Sequence, residues 1–143
     1  MEKRIKNLYR LAAAGLAVSG LIVLYMLFWF VYPFKPIEFL TDPVEVVEDI
    51  VYPGEEIHLL LDFCKYTDKG STIYSKVINE EVISLPVIHS SVPPGCYEKL
   101  RPVAVPEYLH PGTYYAEVAV EYELHPLRTV VVRYTTETFV VGE

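Results

Sequence analysis

Cysteine is almost missing from this chain: there are two in 143 residues, Cys64 and Cys96. No CxxC pair occurs, and His58, His89, His110 and His125 stand singly, so the spacing of a zinc site is not there. Each histidine reads as a solvated strand or turn residue. Glycine is sparse too, seven in all, and no Gly-rich phosphate loop, Walker pattern, HExxH or GxSxG elbow can be drawn. His89 followed by Ser90 and Ser91 is the nearest approach to a base and nucleophile. Neighbours on a strand point to opposite faces, however, so the trio reads as a polar loop. The acidic stretches Glu45–Asp49 and Gly54–Glu56 lack the alternating oxygen ligands and glycine of a calcium loop, and read as a solvated face. The expectation is a protein that is not an enzyme and carries no cofactor and no metal.

Positive charge is the next scarcity. Lys and Arg number 12 against 19 Asp and Glu, and the imbalance is uneven along the chain. Residues 33–143 hold 8 Lys/Arg and 18 Asp/Glu, a net of −10, while the first 32 residues are net +3. An acidic domain of this kind argues against nucleic acid as a partner, because phosphate binding needs clustered cations. It equally disfavours flat association with an anionic membrane surface. The charge keeps the domain soluble and favours a basic partner.

Long apolar runs occur once. From Leu11 to Tyr32 no residue is charged, and a helix of that length would reach about 33 Å, enough for a hydrocarbon core of roughly 30 Å. A cleaved export signal should be shorter and should end in small residues. Here Ala12, Ala13, Ala14, Gly15 and Ala17 lie at the opposite end and the exit is the bulky Leu27–Tyr32. The run is therefore expected to be a retained transmembrane signal-anchor. Lys3, Arg4, Lys6 and Arg10 precede it with only Glu2 against them, which puts the N-terminus in the cytoplasm and the C-terminal bulk outside it. Trp29, Phe30 and Tyr32 would form the interfacial belt, and Pro33 and Pro36 stop the helix. Ala13/Ala17 and Gly15/Ser19 repeat at spacing four, the pattern by which two helices approach closely; it would make a homo-oligomer, although small residues are also simply common in membrane helices.

The expected organisation is a basic cytoplasmic tail over 1–10, an anchor over 11–32, a short juxtamembrane linker over 33–42 and one domain over 43–143. That domain is β sequence throughout. Residues 44–52 alternate loosely and end at the turn signal Pro53-Gly54, and 56–66 place Ile57, Leu59, Leu61 and Phe63 on one face. Residues 71–78 and 82–88 flank the turn Asn79-Glu80-Glu81, with Pro86 marking an edge strand. Residues 92–105 begin with a turn carrying Cys96 and continue as a strand. In 113–124, Ala116, Val118, Val120 and Tyr122 should point inward and Glu117, Glu121 and Glu123 outward, and 129–141 form the last strand. Seven strands with Pro/Gly turns read as an antiparallel sandwich. Outside the cytoplasm a Cys64–Cys96 disulfide is the default, the alternative being two buried thiols or a bond between chains. Cys64 falls on the face opposite Phe63 or at a strand end, so the bond would staple an edge.

Leu109-His110-Pro111-Gly112-Thr113-Tyr114 resembles the turn into the penultimate strand of immunoglobulin-like and fibronectin-type sandwiches. That resemblance implies a tyrosine corner, in which a hydroxyl bonds back to the preceding backbone; Tyr114 matches best and Tyr115 is the fallback. The two cysteines are closer in sequence than the usual inter-sheet bridge and no tryptophan accompanies them, so the expected fold is Ig-like only. A single anchor followed by DFCKY, PPGC, PGTYY and HPLRTV also resembles small membrane proteins of tailed bacteriophages, which implies a viral or prophage source and no mechanism.

Nine of the 12 tyrosines lie beyond the anchor, where their large amphipathic area suits both core and binding surface. The expected role is a non-catalytic structural or interaction module with a protein partner, anchored in a lipid bilayer. The alternative is an accessory membrane factor, for assembly, lysis or host interference, that works through helix association.

Overall fold

The computed structural model describes residues 1–143. They form two compact units: Met1–Phe34 with His125–Arg128, and Lys35–Leu124 with Thr129–Glu143.

The first unit is dominated by one helix, α1, from Glu2 to Val31. Leu, Ala, Met and other helix formers fill it and no proline interrupts it. It ends where Tyr32 turns extended (φ −61°, ψ 117°) ahead of Pro33. None of its 30 residues is buried, and its most apolar 18-residue window has a mean hydropathy of 2.3. This helix is long and apolar enough to cross a membrane. It also takes in residues 2–10, expected as a separate tail. Lys and Arg are good helix formers, and Glu2 pairs with Lys6 one turn on at 2.9 Å, so nothing breaks the helix at Arg10.

The second unit is built of strands: β1 (Ile37–Phe39), β2 (Glu45–Val46), β3 (Ile50–Val51), β4 (Glu56–Lys65), β5 (Ser71–Ile78), β6 (Val82–Ser84), β7 (Ile88–Ser90), β8 (Gly95–Ala104), β9 (Gly112–His125), β10 (Arg128–Thr135) and β11 (Phe139–Val141). The outermost turn of the β9–β10 hairpin falls in the first unit. Eleven strands stand where seven were expected, because the segments before β4, after β5 and after β9 are each broken into short pieces.

Two sheets result. In the four-stranded sheet β8 pairs along the whole of one edge of β4, so β1 and β2 share the other. The seven-stranded sheet runs β3-β11-β9-β5-β6, with β10 also on β9 and β7 also on β5. Neighbours are antiparallel except β3 and β11, which run parallel. β1 lies inside the stretch expected to be linker: Ile37, Glu38 and Phe39 pair with Lys65, Cys64 and Phe63, and Ile37 is buried. A three-residue strand is too short to show alternation, so the hydropathy pattern does not reveal it.

Alternation does position the core. Ile57, Leu59, Leu61 and Phe63 of β4 are buried together with Val77 of β5 and Val118, Val120 and Tyr122 of β9. On β9 Glu117 and Glu121 are half-buried and Glu123 is exposed on the opposite face, as expected. The Pro53-Gly54 signal is a turn closed by Glu55 N–H to the Tyr52 carbonyl at 3.0 Å, with Gly54 at φ +87°, a conformation that suits glycine. Asn79–Glu81 joins β5 to β6 as a hairpin, in register from Ile78–Val82 to Lys76–Ser84.

Candidate functional site: an interlayer cleft with a cationic wall

β4 and β8 pair residue for residue, Phe63 with Tyr97, Leu61 with Lys99, Leu59 with Arg101 and Ile57 with Val103. Directly paired residues share a face of the sheet. Because β4 turns Ile57, Leu59, Leu61 and Phe63 into the core, β8 must turn Tyr97, Lys99, Arg101 and Val103 the same way. Leu100, between them, is left outside at 59% exposed. An inward cation on an edge strand is one of the ways proteins discourage edge-to-edge pairing. Here it also puts charge inside a sandwich of apolar side chains.

Arg101 crosses the space between the sheets. Its guanidinium donates to the Tyr134 hydroxyl on β10 at 3.2 Å and to the Ser75 hydroxyl on β5 at 3.4 Å. Lys65, which continues the inward face of β4, is only 3% exposed. Its ammonium donates to the Val92 carbonyl and lies 5.7 Å from the centre of the Tyr122 ring. Neither cation has a carboxylate within salt-bridge distance. Burial lowers the Lys65 pKa, opposed in part by the charge of Asp68. Burial likewise raises the Tyr122 and Tyr134 hydroxyls, against the Ser71 hydrogen bond for one and the Arg101 charge for the other. Lys99 lies over the Tyr97 ring at 4.5 Å.

These side chains border a cavity of about 300 Å³ between the sheets. Its apolar walls come from Phe39, Leu61, Phe63, Ile73, Ile88 and Val120, and its polar ones from Lys65, Lys99, Arg101, Ser71, His89, Ser90 and the two tyrosines. No Asp or Glu lines it. The hydropathy of β8 hid this site, since Leu100 rather than Arg101 looks like the core residue. The signal was the period of two joining Tyr97 to Val103.

Cys64 and Cys96 are bonded, with Cα atoms 4.0 Å apart. They are a directly opposed pair on β4 and β8, on the face away from the cleft, so the bond lies within one sheet at its edge strand. The Tyr114 ring is buried near the start of β9, and its hydroxyl donates to the His110 carbonyl at 2.8 Å; Tyr115 is exposed. His58, expected to be solvated, is half-buried on β4 and held by Glu48. Its backbone N–H donates to one carboxylate oxygen at 2.6 Å and its Nδ1 contacts the other. Burial alone would raise the Glu48 pKa, but the His58 hydrogen bonds outweigh it and the carboxyl sits below its ordinary value. His89 and Ser91 are exposed and Ser90 half-buried; the His89 ring contacts the Thr72 hydroxyl at 3.3 Å.

The residues of α1 expected to act in a membrane are all in the first unit. Ala13, Gly15, Ala17 and Ser19 are exposed, and Ser19 donates to the Gly15 carbonyl at 2.9 Å. Phe30 is exposed, whereas Trp29 stacks on His125, ring centres 4.2 Å apart and planes 7° off parallel. Tyr32 is half-buried beside Phe28 and Phe34. Arg128 donates to the Phe30 carbonyl at 3.1 Å and the Tyr32 carbonyl at 3.4 Å. The last helical carbonyls lack partners within the helix, and α1 has no basic residue in its last turn. A distant arginine does the capping. Neither His125 nor Arg128 could be assigned to the helix from the sequence, because about a hundred residues separate them from it.

No family model matches the chain, and no curated protein matches it. Among solved structures it is similar to a D270A mutant β-glucosidase from Listeria innocua in complex with laminaribiose, at 13% identity and a TM-score of 0.33. The match covers 73% of this chain and 16% of that one. A likeness at that level bears on neither fold assignment nor activity.

Proposed function

We propose that this chain is a non-catalytic interaction module, viral or prophage in origin, held outside the cytoplasm by α1 as an uncleaved anchor. The observation that carries the reading is a 30-residue helix with none of its residues buried and an apolar stretch of bilayer length. The four cations before that stretch and the net of −10 after it favour an inside N-terminus.

The strand connectivity supports an Ig-like reading of the β unit. Its eleven strands merge into seven: β1, β2 and β3 as a first strand that changes sheets, then β4, β5, β6 with β7, β8, β9, and β10 with β11. The Tyr114–His110 hydrogen bond stands where a tyrosine corner would.

The test is protease added to spheroplasts producing the chain. Digestion of everything beyond about residue 37 with a surviving membrane stub is the expected result. A protected β unit reverses the orientation, and a mature N-terminus near residue 33 makes the helix a cleaved signal. Exchange of α1 for an unrelated anchor then separates the two roles: a displayed module keeps its protein partner, whereas a factor working through Ala13, Gly15, Ala17 and Ser19 loses its effect.

A further inference from the structure

We infer that the interlayer cleft binds a small amphipathic carboxylate, of the size and character of a medium-chain fatty acid, with its apolar body between the sheets and its carboxylate on Arg101 and the Tyr134 hydroxyl. This goes beyond the anchored-module reading and stands on the cleft alone, whichever side of a membrane the β unit occupies.

Charge is the first ground. In a stretch with 8 Lys/Arg and 18 Asp/Glu, three of the eight cations border one cavity and no acid does. Hydrogen-bond inventory is the second. A lysine ammonium has three protons to donate and an arginine guanidinium five. Arg101 directs its guanidinium to two hydroxyl oxygens, whereas Lys65, six residues along β4 from Leu59, the partner of Arg101, donates to the Val92 carbonyl at the other end of the cleft. Tyr134, accepting from Arg101, still has a hydroxyl proton to donate. The Arg101 end of the cleft therefore offers donors in excess of acceptors, which a carboxylate satisfies with short charge-assisted bonds. An uncharged alcohol would leave most of those donors unmatched.

Shape is the third ground. A cavity of about 300 Å³ is at the small end of ligand pockets and corresponds to roughly ten groups of about 30 Å³ each. Phe63, Ile73, Ile88 and Val120 give that volume an apolar lining, so the body of the ligand must be apolar. A chain of about ten carbons ending in a carboxylate meets both demands.

The experiment uses the full chain in zwitterionic nanodiscs with a decanoate derivative carrying a diazirine, followed by irradiation and peptide mass spectrometry. Label is expected on peptides containing Ile73 and Ile88. Excess decanoate should displace it and decanol should not. Arg101→Gln should lower the cleft label about tenfold, as expected for loss of a charge-assisted contact. Ile88→Trp, which fills the mouth from a half-exposed position and removes no charge, should lower it as well. Label confined to residues 11–32 would be partition into lipid and would overturn the inference. Decanol competing as well as decanoate would overturn it too. Loss in Arg101→Gln with full retention in Ile88→Trp would place the ligand on the surface rather than in the cleft, and would equally overturn it. An intact Cys64–Cys96 linkage and an unchanged melting profile in both variants show that the fold has survived.

Discussion

Cys64 and Cys96 face each other as a directly opposed pair on β4 and β8, so the disulfide fastens two strands that ten consecutive register positions already align. The bond adds nothing to the choice of register. Its effect falls on the unfolded chain, where closing a loop across 32 positions removes conformational freedom. Replacing both cysteines by serine should lower unfolding free energy by roughly 3–4 kcal/mol with the β-sheet circular dichroism retained. Urea titrations of the two proteins measure it. Loss of sheet signal at zero denaturant would mean that the ladder depends on the bond.

Tyr114 makes a single hydrogen bond through its hydroxyl, to His110, four residues back. Tyr114→Phe keeps the buried ring and should cost about 1 kcal/mol. Tyr115→Phe, on an exposed side chain, should be neutral within about 0.5 kcal/mol. Equal effects in the two variants would remove the special role of Tyr114.

The Glu48 carboxyl sits below its ordinary pKa because His58 hydrogen-bonds to its charged form. The unfolded chain therefore takes up this proton first as pH falls. The stabilisation is complete above about pH 4.5, the ordinary range, and is lost as pH falls through the lowered folded value. Glu48→Gln should be less stable than the parent at neutral pH, and the gap should close towards about pH 2. Melting temperatures of the pair across that range decide it; a gap that does not change with pH would exclude the linkage.

Lys65 has the opposite consequence. Its pKa is lowered by burial, so the unfolded chain holds the proton to higher pH than the folded one. Stability from this group rises as pH climbs from the folded value towards about 10.4, the value in an unfolded chain. Lys65→Met removes a desolvated charge that has no carboxylate partner and should leave the protein as stable or more stable at pH 7. The alkaline rise should disappear. A strongly destabilised Lys65→Met would instead make the Val92 contact structural.

Period-two patterning was enough to assign the faces of β4 and β9, because each is long and one side is almost wholly apolar: Ile57 to Phe63 on one, Ala116 to Tyr122 on the other. The helix was legible for a related reason, since length and composition alone define a segment that can span a bilayer. Turn chemistry located the Pro53-Gly54 and Asn79–Glu81 reversals. β1 was not legible, nor was the break of residues 44–52 into β2 and β3 on different sheets, because strands of two or three residues owe their existence to partners elsewhere in the chain, Phe63–Lys65, Leu59–Leu60 and Val140–Val141. The cleft lay furthest from the sequence. Hydropathy would bury Leu100 and expose Arg101, yet the pairing of Tyr97 with Phe63 and of Val103 with Ile57 sets the phase of β8, and a strand cannot reverse two residues without losing its register. The pairing of β8 with β4 therefore turned three dispersed cations, Lys65, Lys99 and Arg101, into the wall of one cavity.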